Sequence, residues 1–176
     1  MEDGKLSRGP MIAITLLRVV VGWHFLYEGI AKLSSASWSA AGYMKQARGP
    51  FADLFRWLAG QPNLLEYSNL ITMWGLTIVG VLLMLGLFSR LASLAGIGFI
   101  LLFYLANPPF VGYFYSLPME GSYLVVNKQL VELFALVVIL VSGSGRFAGL
   151  DRMVHRLIAR RPRVAAASAP ARVEPA

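Results

Sequence analysis

The sequence contains no cysteine, and only nine of its 176 residues are acidic. Without cysteine there can be no structural disulfide, no thiolate metal site and no thiol–disulfide relay, whichever compartment the loops face. Charged residues of both signs make up 14% of the chain against 57% hydrophobic, too little polar cover for an ordinary soluble domain of this length. A glycine-rich nucleotide loop and a serine-nucleophile motif are also missing. The two histidines, His24 and His155, lie too far apart to suggest a metal site, and Met73, Met84 and Met119 are too scattered to frame a cofactor. No metal or nucleotide is expected.

What is present is apolar sequence grouped into long runs. These cover about residues 11–33, 68–88, 91–106 and 127–142, and they predict an all-α integral membrane protein: a four-helix transmembrane bundle in contact with the lipid bilayer. The first run is long and ends in Ala31-Lys32-Leu33, with no small-residue cleavage site, which favours a retained helix over a signal peptide. Asn107-Pro108-Pro109 stops the third run. Only Ser89-Arg90 separates the second and third runs, so a tight helical hairpin with an arginine at its tip is expected. The chain then divides into a short tail (1–10), a membrane domain (11–157) and a basic tail (158–176) with no apolar period, expected to be disordered.

The formal charge of +7 would suggest nucleic acid in a soluble protein. Here the excess crowds into Arg146, Arg152, Arg156, Arg160, Arg161 and Arg163, beside the last apolar run, which reads as a topology signal against anionic lipid and not as a nucleic-acid site. Lys5, Arg8 and Arg90 fall on the same side, while the loop from Asn107 to Asn127 has no cation. Both termini are therefore expected in the cytoplasm of a cell with this protein in its inner membrane. Lys45, Arg48 and Arg56 in the first outer loop count against this, and the C-terminal excess outweighs them. That loop also holds Phe51, Leu54, Phe55 and Leu58 at helical spacing, with Asp53 and Arg56 on another face and Gly60 and Pro62 to end it. An amphipathic helix in the outer interface is the expectation. Tyr43, Trp57, Tyr67, Tyr113, Tyr115 and Tyr123 fall in the two outer loops, at headgroup level.

Four ionisable residues interrupt the first span. Arg18, His24, Glu28 and Lys32 fall within an arc of roughly 120° on a helix turning about 100° per residue. A charge at mid-bilayer costs a few kcal/mol or more, so such a stripe faces the bundle interior and its members pair; His24 with Glu28 and Glu28 with Lys32 have the i,i+4 spacing to meet. Gly22 and Gly29 beside the stripe permit close helix approach on that side. Functionally, Glu28, His24 and Arg18 could pass protons or hydrogen-bond a quinone carbonyl, with Trp23 or Tyr27 near the ring. Structurally, Lys32 snorkels to the surface, Arg18 lies two turns from the boundary and Glu28 serves as a counter-ion; both readings stand. A second constellation, Asn107, Glu120, Asn127, Lys128 and Glu132, surrounds the outer start of the fourth run. Antiparallel helices would bring Lys32 and Lys128 to similar depth, forming a polar pocket at the outer face.

The motifs Leu17-Arg18, Gly22-Trp23, Gly29, Lys32-Leu33 and Leu85-Gly86-Leu87-Phe88-Ser89-Arg90-Leu91-Ala92 resemble those of the DoxX superfamily. Glu120-Gly121-Ser122-Tyr123, Asn127-Lys128 and Ser144-Gly145-Arg146-Phe147-Ala148-Gly149-Leu150-Asp151 resemble its DoxD-like branch, the small subunit of thiosulfate:quinone oxidoreductase. The resemblance implies a four-helix membrane protein linked to quinone-dependent oxidation of thiosulfate, with quinone as electron acceptor and a second oxidoreductase subunit or another copy of the chain as partner. It carries no catalytic residues across. A non-catalytic membrane anchor or assembly partner of a redox complex is the alternative. A transporter would need a continuous polar path, and the second and third runs offer almost none.

Overall fold

The computed structural model describes residues 7–110, 112 and 124–152, Arg146 by its backbone alone. Residues 1–6, Glu120, Tyr113, Tyr115, Tyr123 and the tail 158–176 lie outside the described residues. The elements are α1 (Arg8–Leu33), α2 (Ala41–Lys45), α3 (Ala52–Ala59), α4 (Pro62–Leu85), α5 (Ser89–Ala106), α6 (Lys128–Ser142) and α7 (Ser144–Phe147); no strand occurs among the described residues.

Three helices, α1, α4 and α5, are long and apolar enough to cross a membrane. The fourth, α6, has 15 residues, fewer than the roughly 20 of a full span. It begins at an ordinary signal: Asn127 Oδ1 accepts from the Leu130 N–H at 3.0 Å, relieving one of the unpaired donors of the first turn. Helix α4 starts six residues before the second apolar run, because Asn63 and Glu66 dilute the hydropathy of its opening turns. Pro62 marks the true start, where a missing N–H costs nothing.

The side-chain distribution is inside-out relative to a soluble bundle. Leu16, Val20, Ile71, Leu94, Leu102, Val131 and Val141 are all exposed, whereas Arg18, Ser93, Asn107, Glu132 and Ser144 are buried. Such a surface suits hydrocarbon, and the polar groups are turned where partners exist. An apolar core of Val21, Phe25, Leu76, Val79, Leu83, Ile100, Leu136 and Ile139 joins all four long helices. They form a ring: α1 packs on α4 and α6, and α5 packs on the same two. The α1–α4 seam is the tight one. A Cβ at Gly29 would strike the backbone of Thr77, and one at Gly80 the backbone of Leu26, so both glycines are there for close approach.

The hairpin between α4 and α5 turns three residues earlier than expected. Gly86, in the left-handed region (φ 63°), ends α4, with Leu87 N–H donating to Leu82 C=O at 3.0 Å. Ser89 and Arg90 are the first residues of α5, and Phe88 before them is held at φ 47°, a conformation non-glycine residues avoid. That strain is held by a residue 63 positions away. The Asp151 carboxylate accepts from the Phe88 N–H (2.7 Å), the Ser89 N–H (3.1 Å) and the Ser89 hydroxyl (2.5 Å), so it caps α5 in place of Phe88's own side chain. Leu150 N–H and Asp151 N–H donate to the Leu85 and Gly86 carbonyls, stitching the segment after α7 to the same turn.

At the other end, the Arg48 and Gly49 N–H groups both donate to Ala106 C=O at 3.0 Å, and Ala40 N–H donates to Asn69 Oδ1 at 2.8 Å. These bonds fold α2 and α3 back over the bundle. Of the apolar residues expected on one face, Phe51, just before α3, and Leu54 are exposed while Phe55 and Leu58 are half-buried; Trp57 is exposed as well, and Arg56 donates to Asp53 at 2.8 Å.

Replacing Asp151 by alanine is expected to destabilise the fold by about 2 kcal/mol, since a cap and its charge-assisted bonds are lost together. Thermal denaturation in detergent checks this. An unchanged midpoint would mean that the cap contributes nothing.

Candidate functional site

At the end of the bundle opposite the hairpin, the ring of helices does not close. The tight glycine seam draws α1 toward α4, and a cavity of about 310 Å3 remains on the α6 side. Its floor and walls are apolar, from Phe25, Leu76, Ile100 and Phe103. His24, Glu28 and Lys32 line it from α1, one helical turn apart, and Lys128, Gln129 and Glu132 face them from the start of α6.

The pairing within this cluster differs from the i,i+4 expectation in one respect. Glu28 and Lys32 do form an ion pair along α1. His24, however, makes its hydrogen bond not to Glu28 but across the cavity wall to Glu132, Nδ1 to Oε1 at 2.5 Å. Glu132 is 8% exposed and His24 31%. A buried carboxylate needs a donor, and on this side of the bundle the imidazole is within reach. Lys32 also lies over the Trp38 ring, 5.7 Å from its centre, which holds the ammonium at the rim.

Tyr43 covers the site from α2. Its hydroxyl donates to Phe103 C=O at 2.7 Å, and the Asn107 side-chain amide donates to the Tyr43 carbonyl at 3.1 Å. Burial pushes the Tyr43 phenol above its ordinary value, while the amides of Asn107 and Gln129 pull it the other way.

The sequence-derived candidates divide accordingly. His24, Glu28, Lys32, Asn127, Lys128 and Glu132 come together around the cavity. Asn107 is buried beneath Tyr43 and supports it without lining the cavity. Arg18 belongs to the opposite end. Its guanidinium is 1% exposed, packs on Gly86 and donates to Ala148 C=O at 2.7 Å, with the Asp151 charge close by. It therefore clamps the hairpin, because its side chain reaches the α4–α5 turn and not the cavity. Trp23 is 57% exposed on the outside of α1 and does not line the cavity either, being off the buried arc by one residue. Glu120 is outside the described residues. Tyr43, Gln129 and the apolar walls join the site without a signal in the sequence. Tyr43 stood among the outer-loop tyrosines, and nothing in its spacing signals that α2 folds back. No group of three or more His, Asp or Glu residues able to hold a metal occurs among the described residues.

An inside-out helical fold enclosing a charged, half-open cavity defines a small multi-pass membrane protein with a ligand-sized site. The sequence model of the DoxX family matches residues 13–107, more than half of the chain, and the protein belongs to the DoxX family. No curated protein and no solved structure matches the chain.

Ultraviolet difference titration of wild type against Tyr43→Phe is expected to show a phenol that ionises above 10.0. The unfolded chain gives up that proton first, so the stability Tyr43 contributes is intact below 10.0 and is lost as pH rises through the folded value. A phenol that titrates at its ordinary value would show the ring to be solvated.

Proposed function

We propose that this DoxX-family protein is the membrane subunit of a quinone-linked oxidoreductase and that the cavity between α1 and α6 receives the quinone head group. The observation that carries this reading is the cavity's divided chemistry. A ring-shaped apolar head group packs on Phe25, Leu76, Ile100 and Phe103, and its two carbonyl oxygens meet the polar groups at His24 and at the Lys32–Lys128 rim. At about 310 Å3 the space lies at the lower end of the roughly 300–1,000 Å3 usual for small-molecule sites, suiting one ring with its tail left outside. The C-terminal motifs favour thiosulfate as the reductant: two thiosulfate anions join through a new S–S bond and release two electrons to the quinone. A second oxidoreductase subunit is the expected partner.

In this reading α6 completes a four-span bundle, α3 lies in the outer interface with Phe51, Leu54 and Trp57 at headgroup depth, and both termini are cytoplasmic at the inner membrane. Arg90 and Arg152, exposed at the hairpin end, support that orientation. The same two arginines favour the second reading, an anchor or assembly partner engaging a cytoplasmic protein from that end.

Purified protein is expected to bind decylubiquinone and, with candidate partner subunits and thiosulfate, to reduce it. Glu28→Gln should lower turnover by about tenfold or more while the folded protein is retained, because the Lys32 ammonium loses the carboxylate that positions it at the rim. Turnover unchanged in Glu28→Gln removes that carboxylate from the mechanism; absence of binding in wild type leaves the anchor reading. Because the chain has no cysteine, single introduced thiols report orientation directly. Ser7→Cys and Ser37→Cys replace exposed serines near opposite ends of α1. The first should react with an impermeant maleimide only from the cytoplasmic face and the second only from the other, and the reverse pattern overturns the topology.

A further inference from the structure

We infer that the His24–Glu132 pair is the proton-exchange group of this site, with imidazole Nε2 passing a proton to and from a quinone oxygen while Glu132 holds the balancing charge. The inference rests on the quinone reading above. His24 lines the cavity, and its Nδ1 is committed to Glu132 at 2.5 Å, so Nε2 is the ring nitrogen left for a ligand. A carboxylate on one nitrogen fixes the tautomer and stabilises the imidazolium when the other nitrogen gains a proton. Glu132, 8% exposed, is placed to do this where water screens little.

The other charged groups at the cavity do not duplicate this function. Glu28 is tied to the Lys32 ammonium on α1. Lys128 stands beside Glu132 on α6, Tyr43 on α2 donates its proton to a backbone carbonyl, and α4 and α5 present only Leu76, Ile100 and Phe103. Among these groups the imidazole is the one with a second nitrogen left to exchange a proton with a ligand.

Reduction of a quinone to a quinol takes two electrons and two protons. The electrons come from the sulfur oxyanion couple; one proton crosses from Nε2–H to a quinone oxygen, and the second enters from the aqueous mouth of the cavity. Imidazole left neutral at Nε2 regains its proton from water, with Nδ1–H held by Glu132 throughout.

A cross-helix staple and a proton exchanger differ in one measurable respect. A quinone oxygen needs a donor, which the imidazolium supplies; a quinol hydroxyl needs an acceptor, which neutral Nε2 supplies. Calorimetric titration of the full-length protein in detergent with decylubiquinone and with decylubiquinol should therefore give opposite slopes. Quinone affinity is expected to fall by roughly threefold to tenfold, and quinol affinity to rise, as rising pH removes the proton from Nε2. Both slopes should vanish in His24→Gln. The opposite slopes in wild type carry the test even where His24→Gln fails to fold. Flat affinities in wild type, or slopes that survive in a folded His24→Gln, overturn the proton role and leave the quinone site standing. Failure of wild type to bind either ligand at any pH overturns the quinone reading itself.

Discussion

The Glu132 carboxylate is buried in a bundle whose outer surface is apolar, and this burial constrains the whole arrangement. A desolvated carboxylate without a partner costs several kcal/mol, so α6 must present Glu132 to a donor, and His24 on α1 is that donor. The bond sets the rotation of both helices at once. With His24 facing α6, the same 3.6-residue repeat carries Glu28 and Lys32 to the cavity and turns Leu16, Val20 and Trp23 outward. The glycine seam then decides where space remains: α1 is drawn to α4, and the gap opens toward α6.

The two ends of the bundle are built for different purposes. At the hairpin end several polar groups hold the chain together. Asp151 caps α5, Arg18 reaches Ala148 over Gly86, and the segment after α7 is hydrogen-bonded to the α4–α5 turn. Arg18 Nε and Nη1 and the Ser144 hydroxyl, all buried there, have no hydrogen-bond partner among the described residues. At the opposite end the polar groups surround a space. A rigid base positioning an open, charged cavity is the arrangement a binding site needs, since the ligand can displace water but need not reorganise the scaffold.

The positions of the long helices were legible in the sequence because hydrocarbon demands unbroken apolar runs, and the polar arc on α1 was legible because helical geometry alone places His24, Glu28 and Lys32 on one face. The meeting of Lys32 with Lys128, at the cavity between α1 and α6, followed from antiparallel packing. The start of α4 was hidden by Asn63 and Glu66, which belong to a helix without being apolar. The hairpin turn was misplaced because Ser89 and Arg90 are polar, whereas the residues that actually turn, Gly86 to Phe88, read as part of the run.

The sequence by itself determined that the chain is helical, that it belongs among lipids and that α1 carries an ionisable face, since each of these depends on composition and on a repeat within one segment. Only the tertiary structure decided which of those ionisable residues share a site. His24 pairs with Glu132 and not with its i,i+4 neighbour Glu28, Arg18 serves the hairpin, and Tyr43 folds back over the cavity. The reason is physical: a side chain in a low-dielectric interior bonds to whichever partner the packing of other helices brings within about 3 Å, and that packing is set by residues distant in the chain.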